Sequence, residues 1–155
     1  MNNAFMQEAI QQAVENVRSG RGGPFGAVIV KDGRVIAACA NSVTNTNDPT
    51  AHAEVLAIRA ACRTLGAFQL TGCELYTSCE PCPMCLGAIY WARPDRVYFA
   101  ATAGDAAEAG FDDSFIYDEL KLPLQERKIP LKRMMGDEGL VPFREWTNKN
   151  DRVNY

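Results

Sequence analysis

The sequence lacks any apolar run long enough to cross a membrane. Its apolar stretches are short, such as the four residues 27–30, whereas a spanning helix needs about 20. It also lacks the basic start and apolar core of a secretory signal. The six cysteines are therefore expected to be reduced thiols rather than a disulfide framework. Together these absences predict a cytoplasmic protein with no membrane partner.

An excess of positive charge is also missing. The chain carries 16 Lys and Arg against 19 Asp and Glu, a net charge of −3, whereas nucleic-acid-binding domains gather basic residues on one face. We therefore expect no nucleic-acid partner and a small, uncharged or weakly charged substrate. With 155 residues and no internal repeat or linker, the chain has the length of one globular domain.

Histidine is almost absent, and the one that is present, His52, lies in a motif. Glu54 follows it two positions later, and Cys82 and Cys85 lie in a Pro-Cys-Pro-Met-Cys segment beyond an expected helix and strand. One imidazole nitrogen and two thiolates suit Zn²⁺ and leave a fourth tetrahedral position for water. Glu54 is placed to accept a proton from that water. The H-x-E…P-C-x-x-C pattern is typical of zinc deaminases acting on nucleobases, so we predict one zinc per chain.

Other interpretations of these cysteines remain open from the sequence. If Cys79 were a fourth ligand, the zinc site would be closed and structural, in a binding module without turnover. Glu54 would then have no role. A redox Cys-x-x-Cys pair is disfavoured, because the pair accompanies a His-x-Glu motif. Phe25, Asn41 and Trp91 are candidate substrate contacts, since an aromatic ring stacks on a purine and an amide both donates and accepts hydrogen bonds.

Hydrophobic periodicity predicts strands that alternate with helices. Two of the strands form a hairpin closed at Asp32-Gly33. Helices between strands imply an α/β sandwich around a five-stranded mixed sheet. His52 begins one helix and the two cysteines begin another, so two helix N-termini should converge on the metal. The predicted helices span 5–17, 52–65, 83–92 and 113–120, and the predicted strands span 27–30, 35–40, 74–77, 96–101 and 131–135.

The sequence resembles the cytidine-deaminase superfamily and, within it, the bacterial guanine-deaminase family. The segments that carry the resemblance are 22–33, 47–55, 76–92 and 105–117. The zinc motifs alone also fit cytosine, tRNA-adenosine and riboflavin-pathway deaminases. The segment Phe111-Asp112-Asp113-Ser114-Phe115 is the part that resembles guanine deaminases. The resemblance weakens after about Lys121.

The resemblance implies a three-layer α/β/α domain with one zinc that hydrolyses guanine to xanthine and ammonia, in purine salvage or catabolism. His52, Cys82 and Cys85 would be the ligands and Glu54 the proton shuttle. Asp113 would lie by the purine amino group as a second acidic residue. The alternative within the superfamily is a tRNA adenosine deaminase, against which the net negative charge counts.

The resemblance also implies a homodimer. The chain is expected to be a single domain, 1–155, whose C-terminal segment from about residue 121 is exchanged between subunits. Tyr155 would then close the active site of the partner subunit. The residues predicted to contact the substrate, a purine base, are Phe25, Asn41, Ala53, Trp91 and Tyr155.

Overall fold

The sheet begins with a hairpin whose turn chemistry sets its register. The structure is a computed structural model and describes residues 2–155. Strands β1 (Gly26–Lys31) and β2 (Arg34–Ala40) pair antiparallel, with Lys31 opposite Arg34. Asp32 and Gly33 between them have φ angles of 51° and 71°, as a two-residue turn with two positive φ angles requires. The predicted Asp-Gly hairpin is confirmed.

Two more strands complete a mixed sheet in the order β2-β1-β3-β4. Strand β3 (Cys73–Cys79) pairs antiparallel with β1, and β4 (Arg96–Ala101) pairs parallel with β3. Parallel neighbours need a crossover connection, and helix α4 (Pro83–Ala92) supplies it. This crossover places the start of α4 directly after the end of the central strand β3.

The prediction of a fifth strand at 131–135 is wrong: the sheet formed by residues 2–155 has four strands. Pro130 precedes the segment, and proline has no N–H to donate to a neighbouring strand. The apolar residues Leu131, Met134 and Met135 do not alternate with a period of two. Met135 also has a φ of 49°, which no regular strand accommodates.

Helices cover both faces of the sheet, which gives three layers. On one face, α1 (Asn3–Arg18) packs Ala9 against Val28, Val30 and Tyr76. On the other face, α3 (Ala53–Leu65) and α4 pack on the opposite side chains of the strands. The buried residues of that larger cluster are Ala27, Ile29, Ala37, Ala53, Ala57, Ala61, Leu70, Cys73, Leu75, Ile89 and Ala92. The predicted α/β class, with helices on both faces of the sheet, is confirmed.

The remaining elements divide between two compact units, the first ending at Asp113 and the second being Ser114–Tyr155. The first unit also holds two short helices, and the second consists of short helices joined by loops. None of the described side chains of the second unit is buried. Within residues 2–155, no helix has the length and apolarity needed to span a membrane. The additional elements are α2 (Val43–Thr46), α5 (Ala103–Glu108), α6 (Ser114–Lys121), a 3₁₀ turn (Glu138–Leu140) and α7 (Val141–Asn148).

Candidate metal centre

The predicted ligands lie at the starts of two helices. His52 is the N-cap of α3 and Cys82 is the N-cap of α4, both with extended backbone. Neither side chain caps its own helix, so both are available to other partners. Pro83 occupies the first turn of α4, where its missing N–H costs nothing, and Cys85 follows in the same turn. The predicted convergence of two helix N-termini is confirmed.

The three donor atoms lie close together. His52 Nδ1 is 3.5 Å from the Sγ atom of Cys82 and 3.4 Å from that of Cys85. All three donors lie within 4.8 Å of one another; Cys85 is buried and the other two are half-buried. A nitrogen and two sulfurs form a donor set suited to zinc. The residues present therefore fit the predicted metal.

The ionisation of this group also fits a cation. The pKa of Cys82 is lowered to about 4, chiefly because the Cys85 thiol donates a hydrogen bond to the Cys82 thiolate. The same hydrogen bond, together with burial, raises the pKa of Cys85. The bond to Cys82 raises the pKa of His52 as well. Thiolates are the form in which cysteines bind zinc, so the lowered pKa of Cys82 favours metal binding.

Cys79 has a hydrogen-bond partner outside this group. Its thiol donates to the carbonyl oxygen of Thr102 at 3.6 Å, and burial raises its pKa. Among residues 2–155, the cluster of metal donors around His52 contains only Cys82 and Cys85 besides it. The geometry therefore favours three protein ligands with an open position over a closed site with Cys79.

Glu54 lies next to the donors without belonging to them. It is the second residue of α3 and only 6% exposed. Burial raises the pKa of its carboxyl group, and the negative charge at Cys82 adds to that shift. A buried carboxyl group that holds a proton more readily than usual is suited to general acid–base chemistry.

Asp113 is a second acidic residue whose pKa is affected by the charge of a ligand. It is half-buried at the end of the first unit. Burial raises the pKa of its carboxyl group, and the charge at Cys82 adds to the shift. Asp113 is therefore within electrostatic reach of the donor group.

Asn41 and Phe25 lie on the segments that flank β1 and β2. The backbone N–H of Ser42 donates to the carbonyl of Ala51 at 2.9 Å, which ties the end of β2 to the residue before His52. Asn41 is buried, and its Oδ1 accepts from the N–H of Val43 at 3.2 Å. The half-buried ring of Phe25 meets that of Phe111 edge to face, with centroids 5.0 Å apart.

The other three residues predicted to contact the substrate lie in different surroundings. Ala53 is fully buried in the core, so only its backbone is available to a ligand. Trp91 is 65% exposed near the C-terminus of α4, roughly 14 Å along the helix from Cys82 at ~1.5 Å per residue. Tyr155 lies in the second unit and is exposed. Their contacts with a substrate stay predictions.

Comparison with known proteins identifies relatives with this zinc motif. The sequence model of the cytidine and deoxycytidylate deaminase zinc-binding region matches residues 1–101. The chain is 61% identical over 151 residues, 97% of each protein, to a guanine deaminase of Bacillus subtilis (strain 168). It is 46% identical over 97 residues to a tRNA-specific adenosine deaminase of Aquifex aeolicus (strain VF5), which covers 63% of this chain and 64% of that protein.

The fold is shared with a solved structure over its whole length. The X-ray structure of guanine deaminase from Bacillus subtilis superposes on this chain with a TM-score of 0.97 and 60% identity. The superposition covers 100% of this chain and 99% of that chain. The similarity therefore includes the second unit as well as the zinc-binding region.

Substitution of single cysteines by alanine tests which residues bind the zinc. Cys82→Ala and Cys85→Ala should each lose most of the bound zinc, because a site with two protein ligands holds the metal far more weakly. Cys79→Ala is the matched control and should keep one zinc per chain, since its thiol is bonded to Thr102. The measurement is metal content of the purified proteins by elemental analysis. Full zinc retention in both ligand variants, or zinc loss in the control, would contradict the assignment.

Proposed function

The chain belongs to the cytidine and deoxycytidylate deaminase family, and we propose that it is a guanine deaminase, hydrolysing guanine to xanthine and ammonia. The observation that carries this proposal is the 61% identity with a guanine deaminase along 97% of both chains. The similarity to the tRNA-specific adenosine deaminase covers only 63% of this chain. The net charge of −3 likewise favours a purine base over a polyanion. The reaction belongs to purine salvage or catabolism.

His52, Cys82 and Cys85 hold the zinc in this proposal. Their three donor atoms lie within 4.8 Å of one another, and the family is defined by a zinc-binding region. When bound, zinc supplies a water nucleophile at neutral pH.

Glu54 moves the proton. Hydrolysis adds water oxygen to the carbon that bears the amino group and breaks the carbon–nitrogen bond, and the nitrogen needs a proton to leave as ammonia. Glu54 accepts a proton from the attacking water and delivers it to the substrate. Its burial beside the ligands keeps bulk water from competing for that proton.

The substrate contacts come from the segments around the donor group. Asp113 accepts a hydrogen bond from the purine amino group. Phe25, braced by Phe111, stacks on the ring system. Asn41 uses Oδ1 to accept from Val43, which leaves its Nδ2 to donate to an acceptor on the purine edge. Ala53 contacts the substrate through its backbone.

A homodimer completes the proposal. Helix α4 is apolar on its exposed side, where Leu86, Tyr90 and Trp91 are 38%, 75% and 65% exposed, and a helix that is apolar all round is normally covered. None of the described side chains of the second unit is buried. A second copy covers these surfaces, with the segment from about residue 121 exchanged and Tyr155 closing the partner's site. The cytoplasmic location also stays a prediction.

Substrate choice tests the function. The purified zinc protein should release ammonia from guanine and not from adenine, cytosine, guanosine or a tRNA anticodon stem, because the site is proposed to accept a free purine base whose amino group is on C2, and only guanine among these compounds is such a base. The measurement is ammonia release under identical conditions. Preference for the tRNA stem would assign the protein to the alternative function, and turnover of none of them would favour a binding module.

Variants of two acidic residues test their proposed roles in the reaction. Glu54→Gln should keep zinc and fold but lose about two to four orders of magnitude in rate, since glutamine cannot carry the proton. Asp113→Asn should also keep zinc and lose guanine turnover. Near-normal rates in either variant would remove that residue from the mechanism.

Removal of the last five residues tests the exchanged tail. Deletion of Asp151 to Tyr155 should leave zinc content intact but raise KM or lower kcat, because an aromatic ring over the purine excludes water. Mixing the truncated chain with Glu54→Gln chains should restore part of the activity, since one hybrid site then has both an intact Glu54 and an intact tail.

Steady-state kinetics before and after mixing provide the measurement. Wild-type kinetics in the truncated protein would eliminate a role for the tail. Absence of rescue, with subunit exchange confirmed, would mean that the tail acts within its own chain.

A further inference from the structure

A buried polar residue lies in the last turn of α1. Asn16 is 2% exposed and continues the buried face formed by Ala9 and Ala13. A buried amide costs free energy unless its donors find partners. Because the rest of this buried helix face consists of small apolar residues, the amide of Asn16 needs hydrogen-bond partners from other segments.

Asn16 joins the two segments that carry proposed substrate contacts. Its Nδ2 donates to the carbonyl oxygen of Gly23 at 2.9 Å and to that of Asn41 at 2.8 Å. A side-chain amide nitrogen has two N–H donors, so both are used. One amide group thus holds the loop before Phe25 against the end of β2.

The surrounding backbone is packed tightly around this amide. A Cβ atom on Gly22 would lie 2.4 Å from the carbonyl oxygen of Asn41 and 2.8 Å from Nδ2 of Asn16, so only glycine fits. The N–H of Phe25 donates to Gly23 at 2.9 Å, and the N–H of Asn41 donates to the carbonyl of Phe25 at 3.0 Å. The loop and the strand end therefore share a hydrogen-bonded network centred on Asn16.

We propose that Asn16 is a positioning residue for guanine binding, acting through Phe25 and Asn41. The inference rests on the proposed function and deepens it. Asn16 fixes the carbonyl of the residue that reads the purine edge and the loop that leads to the stacking ring. The bond from Ser42 to Ala51 links the same strand end to the residue before His52. Displacements of about 1 Å in such groups weaken substrate binding and turnover strongly.

Kinetic analysis of Asn16→Ala tests this role. Loss of the amide removes the donor to the buried carbonyl of Asn41 and one of the two donors to the carbonyl of Gly23, so the loop should shift and KM for guanine should rise by at least about ten-fold. The fall in kcat should be smaller than the rise in KM, and zinc should remain at one per chain. Asn16→Ser, which keeps one donor, provides a second variant if Asn16→Ala does not fold, and it too should raise KM.

Phe5→Ala is the control matched for loss of stability. Phe5 packs on Tyr76, with ring centroids 5.6 Å apart, and lies on α1 roughly 16 Å from Asn16 at ~1.5 Å per residue. This variant should lower Tm while leaving KM unchanged. A wild-type KM in whichever Asn16 variant folds, or an equal KM rise in Phe5→Ala, would overturn the proposal. If the wild-type protein does not deaminate guanine, the proposed function fails and this inference fails with it, whereas failure in the variants alone refutes only Asn16.

Discussion

The structure depends on the approach of one imidazole nitrogen and two sulfurs from two separate helix starts. These atoms lie within 4.8 Å of one another, although His52 and Cys82 are 30 residues apart along the chain. Their approach requires that α3 and α4 pack on the same face of the sheet. It also requires that α4 begin directly after β3, as the parallel crossover to β4 dictates. Burial of Glu54 and the reach of the ligand charge to Asp113 follow from this arrangement.

Local signals in the sequence predicted the elements around the site. The bounds of α4 and β4 match the prediction, because Pro83 begins the helix and Arg93, with a φ of 55°, ends it. The Asp-Gly turn predicted the hairpin for an equally local reason. The ligand set was predictable because chemistry restricts which residue types bind zinc. The predicted fifth strand is wrong, because the apolar residues of 131–135 do not alternate as a strand requires.

Tertiary contacts that leave no local pattern could not be predicted. The ring of Phe111 supports Phe25 from a segment 86 positions later in the chain, and only the fold brings the two together. The spacing of Asn16 gave one weak indication that it is buried. It lies seven residues, about two helical turns, after the buried Ala9. The apolar residues of α1 do not by themselves mark its buried face, since Val17 is 52% exposed. A polar residue on the core side of an amphipathic helix was the informative exception.

X-ray absorption at the zinc edge tests most directly the claim that the metal centre has three protein ligands and an open position. The zinc-loaded protein should show two sulfur neighbours at ~2.3 Å and two lighter neighbours at ~2.0–2.1 Å. One lighter neighbour is the nitrogen of His52, and the other comes from solvent. A spectrum with three sulfur neighbours would mean that Cys79 closes the site, and it would contradict the account of a centre that leaves room for the substrate's reaction.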